Sequence, residues 1–383
     1  MHALLGEIRA QGAGAGNWHL TDPFDTVYLG GGTPSALAPE TIAEMITALN
    51  TELVVAADAE VTLEANPEHV TEHNAAVWRD LGVSRVSLGV QSFDDEALRL
   101  LGREHTAQQA RDAVRCALAA GFDAVSLDLI FAVPGMALAD WQSSLEQAVD
   151  LRPHHISCYE LTVHPATRFF KQRQSGRFAE ASDDDKAEQF FLAHRFLCDA
   201  GYPAYEVSNF ARRPDLQARH NSKYWNHTAY LGLGPSAHSF DGRSRRWWNE
   251  RRLIDWLRAL EDPADATVDE EILSPEQLVL EALAFGLRTT AGIDLEHIER
   301  RYGIGLKAAN GALVDELVAD GLLERRGGAR IVPTLAGLAV ADALAPAFDI
   351  PATDSARPDA AAAEVVASAG TAPKSNAPEG SAP

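Results

Sequence analysis

The first 165 residues alternate short, β-branched apolar runs with longer stretches in which apolar residues recur every three or four positions. The runs predict β-strands and the longer stretches predict amphipathic helices. Strand–helix alternation of this kind builds a parallel sheet whose carboxyl ends carry the ligand-binding groups. We therefore predict an α/β protein with strands over 25–29, 60–65, 84–90, 123–131 and 155–162, and helices over 38–50, 71–82, 106–121 and 137–151.

The pattern changes after this region. A helix is predicted over 183–201, and an irregular segment rich in aromatic residues and glycine follows. Helices and a short strand then follow in the order of a winged-helix module. We interpret this module as a packing domain, since the Asp and Glu residues that crowd its helices disfavour DNA binding. The tail is rich in Ala, Pro, Ser and Gly without periodic apolar residues and is predicted to be disordered. The predicted units are 1–165, 166–250, 251–347 and 348–383.

Composition narrows the class of protein. The net charge of −22 and the pI near 4.9 favour a cytoplasmic protein and argue against nucleic acid as a partner. No apolar run approaches the roughly 18–20 residues of a membrane span, which leaves only transient membrane association. Cys116, Cys158 and Cys198 lie too far apart along the chain for a disulfide framework or a metal-ligand motif. Their apolar surroundings predict core thiols, and we expect no metal site formed by them.

The stretch "DTVYLGGGTPS" runs from the first strand into three glycines, Gly30 to Gly32. No Gly-Lys-Ser/Thr follows, so this is not a Walker loop, and the stretch does not have the GxGxxG pattern either. Glycines at a strand end let main-chain atoms approach a ligand closely, but a tight strand-to-helix turn would explain them equally well.

Polar residues near the ends of the next strands favour the ligand-binding alternative. Glu64, Gln91 and Asp128 each lie near the carboxyl end of a strand and should converge on one face. Buried polar groups need partners, which a polar ligand or the neighbouring loops would supply. The guanidinium group of Arg103 could donate two hydrogen bonds to a ligand carboxylate. The alternative is that Arg103 is a surface cation at a helix end.

Several motifs together resemble a known family. "YLGGGTPS", "LEANPE", "SLGVQSFDDEALRLLGREH" and "DLIFAVPG" are similar, in order and spacing, to the radical S-adenosylmethionine (SAM) proteins of the oxygen-independent coproporphyrinogen III oxidase type. "YELTVHPAT", "YEVSNFAR", "HNSKYW" and "YLGLGPSAHS" narrow the resemblance to the heme chaperone (HemW) branch, over roughly residues 3–345.

The resemblance implies a partial (β/α) barrel and roles for individual residues. Gly31, Gly32 and Thr33 would hold the methionyl part of SAM, and Arg103 would pair with its carboxylate. The remaining polar contacts to SAM would come from Glu64, Gln91 and Asp128. The "HNSKYW" segment would contact heme through His220, Tyr224 and Trp225, because a His can ligate iron and flat aromatic rings can pack on a porphyrin. The alternative for His220 is a structural hydrogen bond that ties its loop to the barrel.

One family feature is missing from these residues. Radical SAM proteins hold a 4Fe-4S cluster with a CxxxCxxC loop after the first strand, and residues 1–383 contain no such loop. We expect either that the first strand and its cysteines precede residue 1 in the native protein or that this is a cluster-free member, and we favour the former. We assign no catalytic residue.

Three functions follow from the resemblance, in order of preference. The first is a heme chaperone that delivers heme to acceptor apo-proteins. The second is an oxygen-independent coproporphyrinogen III oxidase-like enzyme of porphyrin biosynthesis, which requires the cluster cysteines. The third is a non-catalytic scaffold with the acidic C-terminal module as a docking surface.

Overall fold

A six-stranded sheet forms the centre of the N-terminal half of the chain in the computed structural model, which describes residues 1–14, 18, 22–165, 168–176, 178–261 and 266–352. Its strands lie in sequence order; the first five are parallel and the sixth is antiparallel to the fifth. They are β1 (Phe24–Leu29), β2 (Val55–Ala65), β3 (Arg85–Gln91), β4 (Ala124–Phe131), β5 (His155–Glu160) and β6 (Asn209–Ala211).

Nine helices accompany this sheet in the described residues. Several begin at a side-chain cap, such as Thr71, Asp94 and Thr106, as their sequences predict. The helices are α1 (His2–Gly12), α2 (Pro39–Glu52), α3 (Glu72–Asp80), α4 (Asp95–Leu101), α5 (Ala107–Ala120), α6 (Leu138–Asp150), α7 (Arg168–Gln174), α8 (Asp183–Asp199) and α9 (Arg219–Trp225). The predicted α/β architecture is therefore present, with β2 beginning earlier than predicted.

The two faces of the sheet differ in polarity. Leu63, Leu88 and Leu127 lie on the face covered by the helices and are fully buried in the main core. Because successive side chains in a strand alternate between faces, their neighbours point to the other side of the sheet. That face carries a row of polar residues in register across β2 to β5, formed by Glu64, Ser87, Ser126 and His155.

A second sheet begins in the region that the sequence predicted as irregular and continues into the region predicted to be mainly helical. Its antiparallel strands have the order β7-β8-β9, and α10 (Leu253–Ala259) lies between the last two in the chain. The prediction of an irregular segment was wrong here, because these strands are stabilised by pairing across the sheet rather than by a clear alternation in sequence. The strands are β7 (His238–Phe240), β8 (Arg245–Asn249) and β9 (Thr267–Ile272).

The C-terminal region has its own hydrophobic core beneath a small antiparallel sheet of order β10-β12-β11. Phe348 and Ile350 pack on this core, so the packed chain extends beyond residue 347; residues 353–383 of the predicted tail lie outside the described residues. The elements are α11 (Pro275–Gly286), β10 (Ile293–Asp294), α12 (Leu295–Tyr302), α13 (Leu306–Ala309), α14 (Gly311–Ala319), β11 (Leu323–Arg325), β12 (Arg330–Pro333), α15 (Leu335–Ala339) and α16 (Ala341–Leu344).

In the part of the chain that the structure describes, no helix combines the length and the apolar character needed to cross a membrane.

Candidate ligand-binding site

A cavity of about 440 Å³ opens at the carboxyl ends of the parallel strands. Its wall is built from the loop after β1, the ends of β2 to β5 and the turn between α4 and α5. Six of the seven residues predicted to bind SAM line it, while Gly31 lies in the same loop but not in the wall. The six are Gly32, Thr33, Glu64, Gln91, Arg103 and Asp128.

The glycine loop needs its glycines for two different reasons. A Cβ atom on Gly30 would overlap the ring of Tyr28 and lie 2.9 Å from the carboxyl carbon of Glu64. Gly31 has φ +79°, which favours glycine, while a Cβ on Gly32 would meet no described atom within 4 Å. The Tyr28 hydroxyl donates a hydrogen bond of 2.7 Å to Glu64 Oε1. Sequence reasoning missed Gly30 and Tyr28, because their importance depends on the approach of two neighbouring strands.

Gln91 is presented to the cavity by an unusual backbone turn. Its φ is +64°, in the left-handed region that non-glycine residues rarely adopt, and the β3–β4 register shifts just before it. The side chain is almost fully buried. A Cβ on neighbouring Gly89 would lie 2.9 Å from Gln91 Nε2, so the Gln91 side chain would have to move. Conformations of this kind cluster at ligand-binding sites, where surrounding contacts maintain them.

Three carboxylates (Glu64, Asp128 and Glu160) and the guanidinium of Arg103 line the cavity and set its electrostatics. Burial raises the pKa of Asp128 to about 6, and nearby Glu64 adds to that effect, whereas hydrogen bonds from Ser157 and Ser87 oppose it. The Ser87 hydroxyl donates to Asp128 Oδ2 at 2.9 Å. Burial lowers the pKa of Arg103, while the charges of Glu68 and Asp128 oppose the shift. Such a wall fits a ligand that carries both positive and negative groups.

A smaller polar chamber of about 260 Å³ adjoins the cavity and shares Glu64, Ser87, Asp128 and Tyr159 with it. Thr62 Oγ1 and Arg85 Nη1 are buried there without a hydrogen-bond partner among the described residues. Groups of this kind in a polar space of this size are ordinarily satisfied by ordered water or a ligand.

A buried ion pair fixes helix α9 to this chamber. Arg85 Nε lies 2.9 Å from Glu60 Oε2, and Arg85 Nη2 donates to the carbonyl oxygens of Leu216 and Gln217 just before the helix. The backbone N–H of His220 donates to the other oxygen of Glu60, at 3.2 Å. The start of α9 is therefore positioned by charged groups of the sheet.

His220 makes contacts on all sides of its ring. Nδ1 lies 3.0 Å from the Thr26 hydroxyl and Nε2 lies 3.0 Å from the Tyr224 hydroxyl. The ring stacks on Tyr28 with 4.8 Å between centroids and lines the smaller chamber. Burial lowers the pKa of His220 to about 4, with a further contribution from Lys223, so the imidazole is neutral near pH 7.

Of the other two residues predicted to contact heme, Tyr224 lies beside His220 and Trp225 points away from it. Tyr224 is 40% exposed and lies edge-on to Tyr230. Trp225 packs edge-on against Phe285 of α11 at 6.0 Å between centroids, and its Nε1 is buried without a described partner. The segment thus joins the barrel to the C-terminal region, and of these three residues His220 lines the smaller chamber, whereas Tyr224 and Trp225 are not in its wall.

The three cysteines lie on three different elements. Cys116 on α5 is half-buried, Cys158 on β5 is buried and Cys198 on α8 is exposed. The prediction of a core thiol was wrong for Cys198, because it lies on the outer face of its helix. Burial raises the pKa of Cys158 and of Cys116, which disfavours the thiolate that a metal needs. No group of three metal-ligating side chains occurs among the described residues, so the cysteines do not fit a 4Fe-4S cluster.

The fold and the carboxyl-end cavity define a protein of the radical SAM class. The model of the Radical SAM superfamily matches residues 17–148, and that of the HemN C-terminal domain matches residues 273–340. A solved structure of Escherichia coli coproporphyrinogen III oxidase (HemN), described as a radical SAM enzyme, has the same fold. Its TM-score is 0.76 at 23% identity, over 91% of this chain and 82% of that one.

Curated relatives identify the family within this class. The heme chaperone HemW of Lactococcus lactis is 32% identical over 298 residues, 78% of each chain. The HemW proteins of Synechocystis and Mycobacterium tuberculosis are 37% and 36% identical, over 73% and 83% of this chain and 68% and 79% of theirs. The chain belongs to the HemW heme chaperone family.

Proposed function

We propose that this chain is a heme chaperone that binds heme and transfers it to heme-accepting apo-proteins, on a radical SAM scaffold with a SAM-binding half-site. The observation that carries the proposal is the similarity to curated HemW heme chaperones at 30–37% identity over at least 73% of this chain. Its acidic composition supports action in the cytoplasm and does not favour nucleic acid as a partner.

The cavity at the carboxyl ends of the strands is the proposed SAM half-site. Arg103 would pair with the ligand carboxylate, and it forms no ion pair with any described residue. Glu64 and Asp128 would balance the positive charge of the ligand and accept its hydrogen bonds. The main chain of Gly32 and Thr33 would contact the methionyl part, while Gly31 would supply the turn.

The 4Fe-4S cluster that the radical SAM family implies finds no ligand set in residues 1–383, so no catalytic residue is assigned. A coproporphyrinogen III oxidase-like activity would need that cluster and is supported here only by a fold likeness at 23% identity. Formation of 5′-deoxyadenosine by the purified chain would favour this second function.

The proposed heme-binding residues are His220, Tyr224 and Trp225. A neutral imidazole can ligate iron, and among the described residues the hydrogen-bond partner of His220 Nε2 is the hydroxyl of half-exposed Tyr224. Heme iron would therefore replace Tyr224 at this nitrogen, with the aromatic rings of the segment beside the porphyrin.

Heme titration followed by the Soret band tests this assignment on the full chain. We expect saturable binding by the wild type, at least tenfold weaker binding by His220→Ala, and equal or tighter binding by Tyr224→Phe, which removes the competing hydroxyl. Absence of saturable binding by the wild type would refute the chaperone function. Unchanged affinity of His220→Ala would refute only the assigned ligand.

Calorimetric titration with SAM tests the half-site separately. Arg103→Gln and Asp128→Asn should each weaken binding about tenfold, because each removes a charged contact to the ligand. Arg99→Gln, on the neighbouring helix α4 but outside the cavity wall, serves as the matched control and should bind like the wild type.

A further inference from the structure

Behind the cavity wall, His105 connects segments that carry wall residues. Its imidazole is only 3% exposed and is not part of the wall. Nε2 lies 3.0 Å from the carbonyl oxygen of Val90, at the end of β3. Nδ1 lies 3.3 Å from Oε2 of Glu68, in the turn that follows β2. His105 itself follows Arg103 by two residues, so it touches three of the segments around the cavity.

The carbonyl of Val90 belongs to the turn that presents Gln91. It also accepts a hydrogen bond of 2.8 Å from the backbone N–H of Ser92. A hydrogen bond between residues i and i+2 around a residue with φ +64° is typical of the rare and strained γ-turn. Strained turns persist only where other contacts hold them. The bond from His105 is the second contact to this carbonyl and provides such a restraint.

On its other side His105 reaches a chain of polar contacts. Glu68 Oε1 accepts a hydrogen bond of 3.1 Å from the side chain of Asn66, which lines the cavity. The backbone N–H of Asn66 donates to Ser35 Oγ at 3.1 Å, and Ser35 lies in the "GGGTPS" loop. Contacts from His105 thus extend to the loop after β1.

The two contacts of His105 differ in kind. A carbonyl oxygen can only accept, so Nε2 donates a hydrogen bond to Val90. Nδ1 and Glu68 Oε2 lie 3.3 Å apart, but neither atom has a hydrogen-bond partner among the described residues, so this is a close polar approach and not a hydrogen bond. His105 therefore restrains the Val90 carbonyl directly and packs against Glu68.

We propose that His105 is a positioning residue of the cavity. It holds the Gln91 turn in the arrangement that receives the ligand through its hydrogen bond to Val90, and it packs against the Glu68–Asn66 pair, without touching that ligand. This inference rests on the SAM half-site of the proposed function.

Three substitutions separate the two contacts. The amide nitrogen of Gln reaches the place of the imidazole Nε2, whereas that of Asn reaches the place of Nδ1. His105→Gln therefore keeps the bond to Val90, His105→Asn keeps the contact to Glu68, and His105→Ala keeps neither. In calorimetry with SAM we expect His105→Gln to bind within about threefold of the wild type and the other two to bind about tenfold more weakly. Heme affinity should stay unchanged in all three, and His73→Ala, at an exposed site on α3, is the control.

A second measurement needs no ligand. Hydrogen exchange at the Ser92 amide of the full chain should become about tenfold faster in His105→Ala and stay near the wild-type rate in His105→Gln. The proposal is overturned if His105→Ala binds SAM like the wild type, if His105→Gln loses as much affinity as His105→Ala, or if exchange at Ser92 does not change. Parallel losses of heme and SAM affinity would show a general structural role and would also overturn it.

Failure of the proposed half-site gives a different result. In that case the wild-type chain shows no SAM binding, and the exchange rate at Ser92 alone decides whether His105 holds the turn.

Discussion

The carboxyl-end cavity and helix α9 both consist of sequence motifs typical of the family, but their polar groups have different partners. In the cavity, Arg103 forms no ion pair with a described residue and Gln91 lies in a strained turn. On α9, the backbone N–H of His220 and both of its ring nitrogens already contact protein groups. The charged groups of the cavity are therefore left facing the open space that we propose as the SAM half-site, whereas the polar groups of α9 hold the helix to the barrel.

This difference explains how one scaffold can carry two proposed ligands. A preformed cavity keeps its charged groups in place and needs little rearrangement on binding. At α9, a ligand must compete with the Tyr224 hydroxyl for His220 Nε2. Heme affinity should therefore depend on contacts inside the protein as well as on contacts to heme.

The largest effect is expected from breaking the buried ion pair beneath α9. Arg85→Ala leaves Glu60 as an uncompensated buried charge and removes two bonds to backbone carbonyls, so we expect a loss of about 3–5 kcal/mol in the free energy of unfolding. Urea denaturation provides the measurement. Arg115→Ala removes an exposed pair with Asp112 and should change this energy by less than about 0.5 kcal/mol. Similar values for the two variants would show that the buried pair does not anchor the helix.

A smaller effect is expected in the glycine loop, where neighbouring positions should respond differently. Gly30→Ala pushes a Cβ into Tyr28 and Glu64 and should cost about 1–3 kcal/mol in unfolding free energy. The new methyl group of Gly32→Ala meets no described atom, so the free energy of unfolding should stay within about 0.5 kcal/mol of the wild-type value. SAM binding should weaken, because this methyl group enters the cavity. Urea denaturation and calorimetry measure the two effects. Equal stability of both variants would contradict the close approach at Gly30.

Local patterns in the sequence predicted most of the cavity. Glu64, Gln91 and Asp128 could be placed on one side of the sheet because parallel strands end at the same edge and side chains alternate between faces. Their joint position in the wall follows from these two rules. The chemical identity of the ligand does not, and it came from the family resemblance.

Contacts between distant parts of the chain could not be predicted. Thr26 and His220 lie 194 residues apart, so nothing near either residue in the sequence indicates their hydrogen bond. The strands β7 to β9 were missed for the same reason, since their partners and not their own sequences stabilise them. Cys198 was misplaced because its apolar neighbours Phe196 and Leu197 face the core, while Cys198 itself lies on the exposed side of α8.

Asp128 should show opposite effects on stability and on binding. Its folded pKa of about 6 lies above the unfolded value of 3.8, so ionising it costs more in the folded protein, and stability is lost as pH rises between these values. Asp128→Asn should therefore be more stable than the wild type by up to about 3 kcal/mol at pH 7, and this difference should vanish below the unfolded pKa of 3.8. SAM affinity of the wild type should fall on acidification through pH 6, while that of Asp128→Asn stays low and constant.

Urea denaturation and calorimetry between pH 4 and pH 7.5 measure both effects. A difference in stability that does not vary with pH would mean that Asp128 titrates normally in the folded chain.

The smallest effect is expected at the surface contact of α9. Lys223 Nζ lies 2.6 Å from Asp25 Oδ1, and the carboxylate is 45% exposed. Because water screens such a pair, Lys223→Ala should cost less than about 1 kcal/mol in unfolding free energy, and the loss should shrink as salt is added. Urea denaturation at low and high ionic strength measures it against Arg85→Ala, which acts on the same helix and should be insensitive to salt. If Lys223→Ala lowers the free energy of unfolding as much as Arg85→Ala does, the exposed and buried contacts of α9 stabilise this helix equally, which would contradict the proposed difference between them.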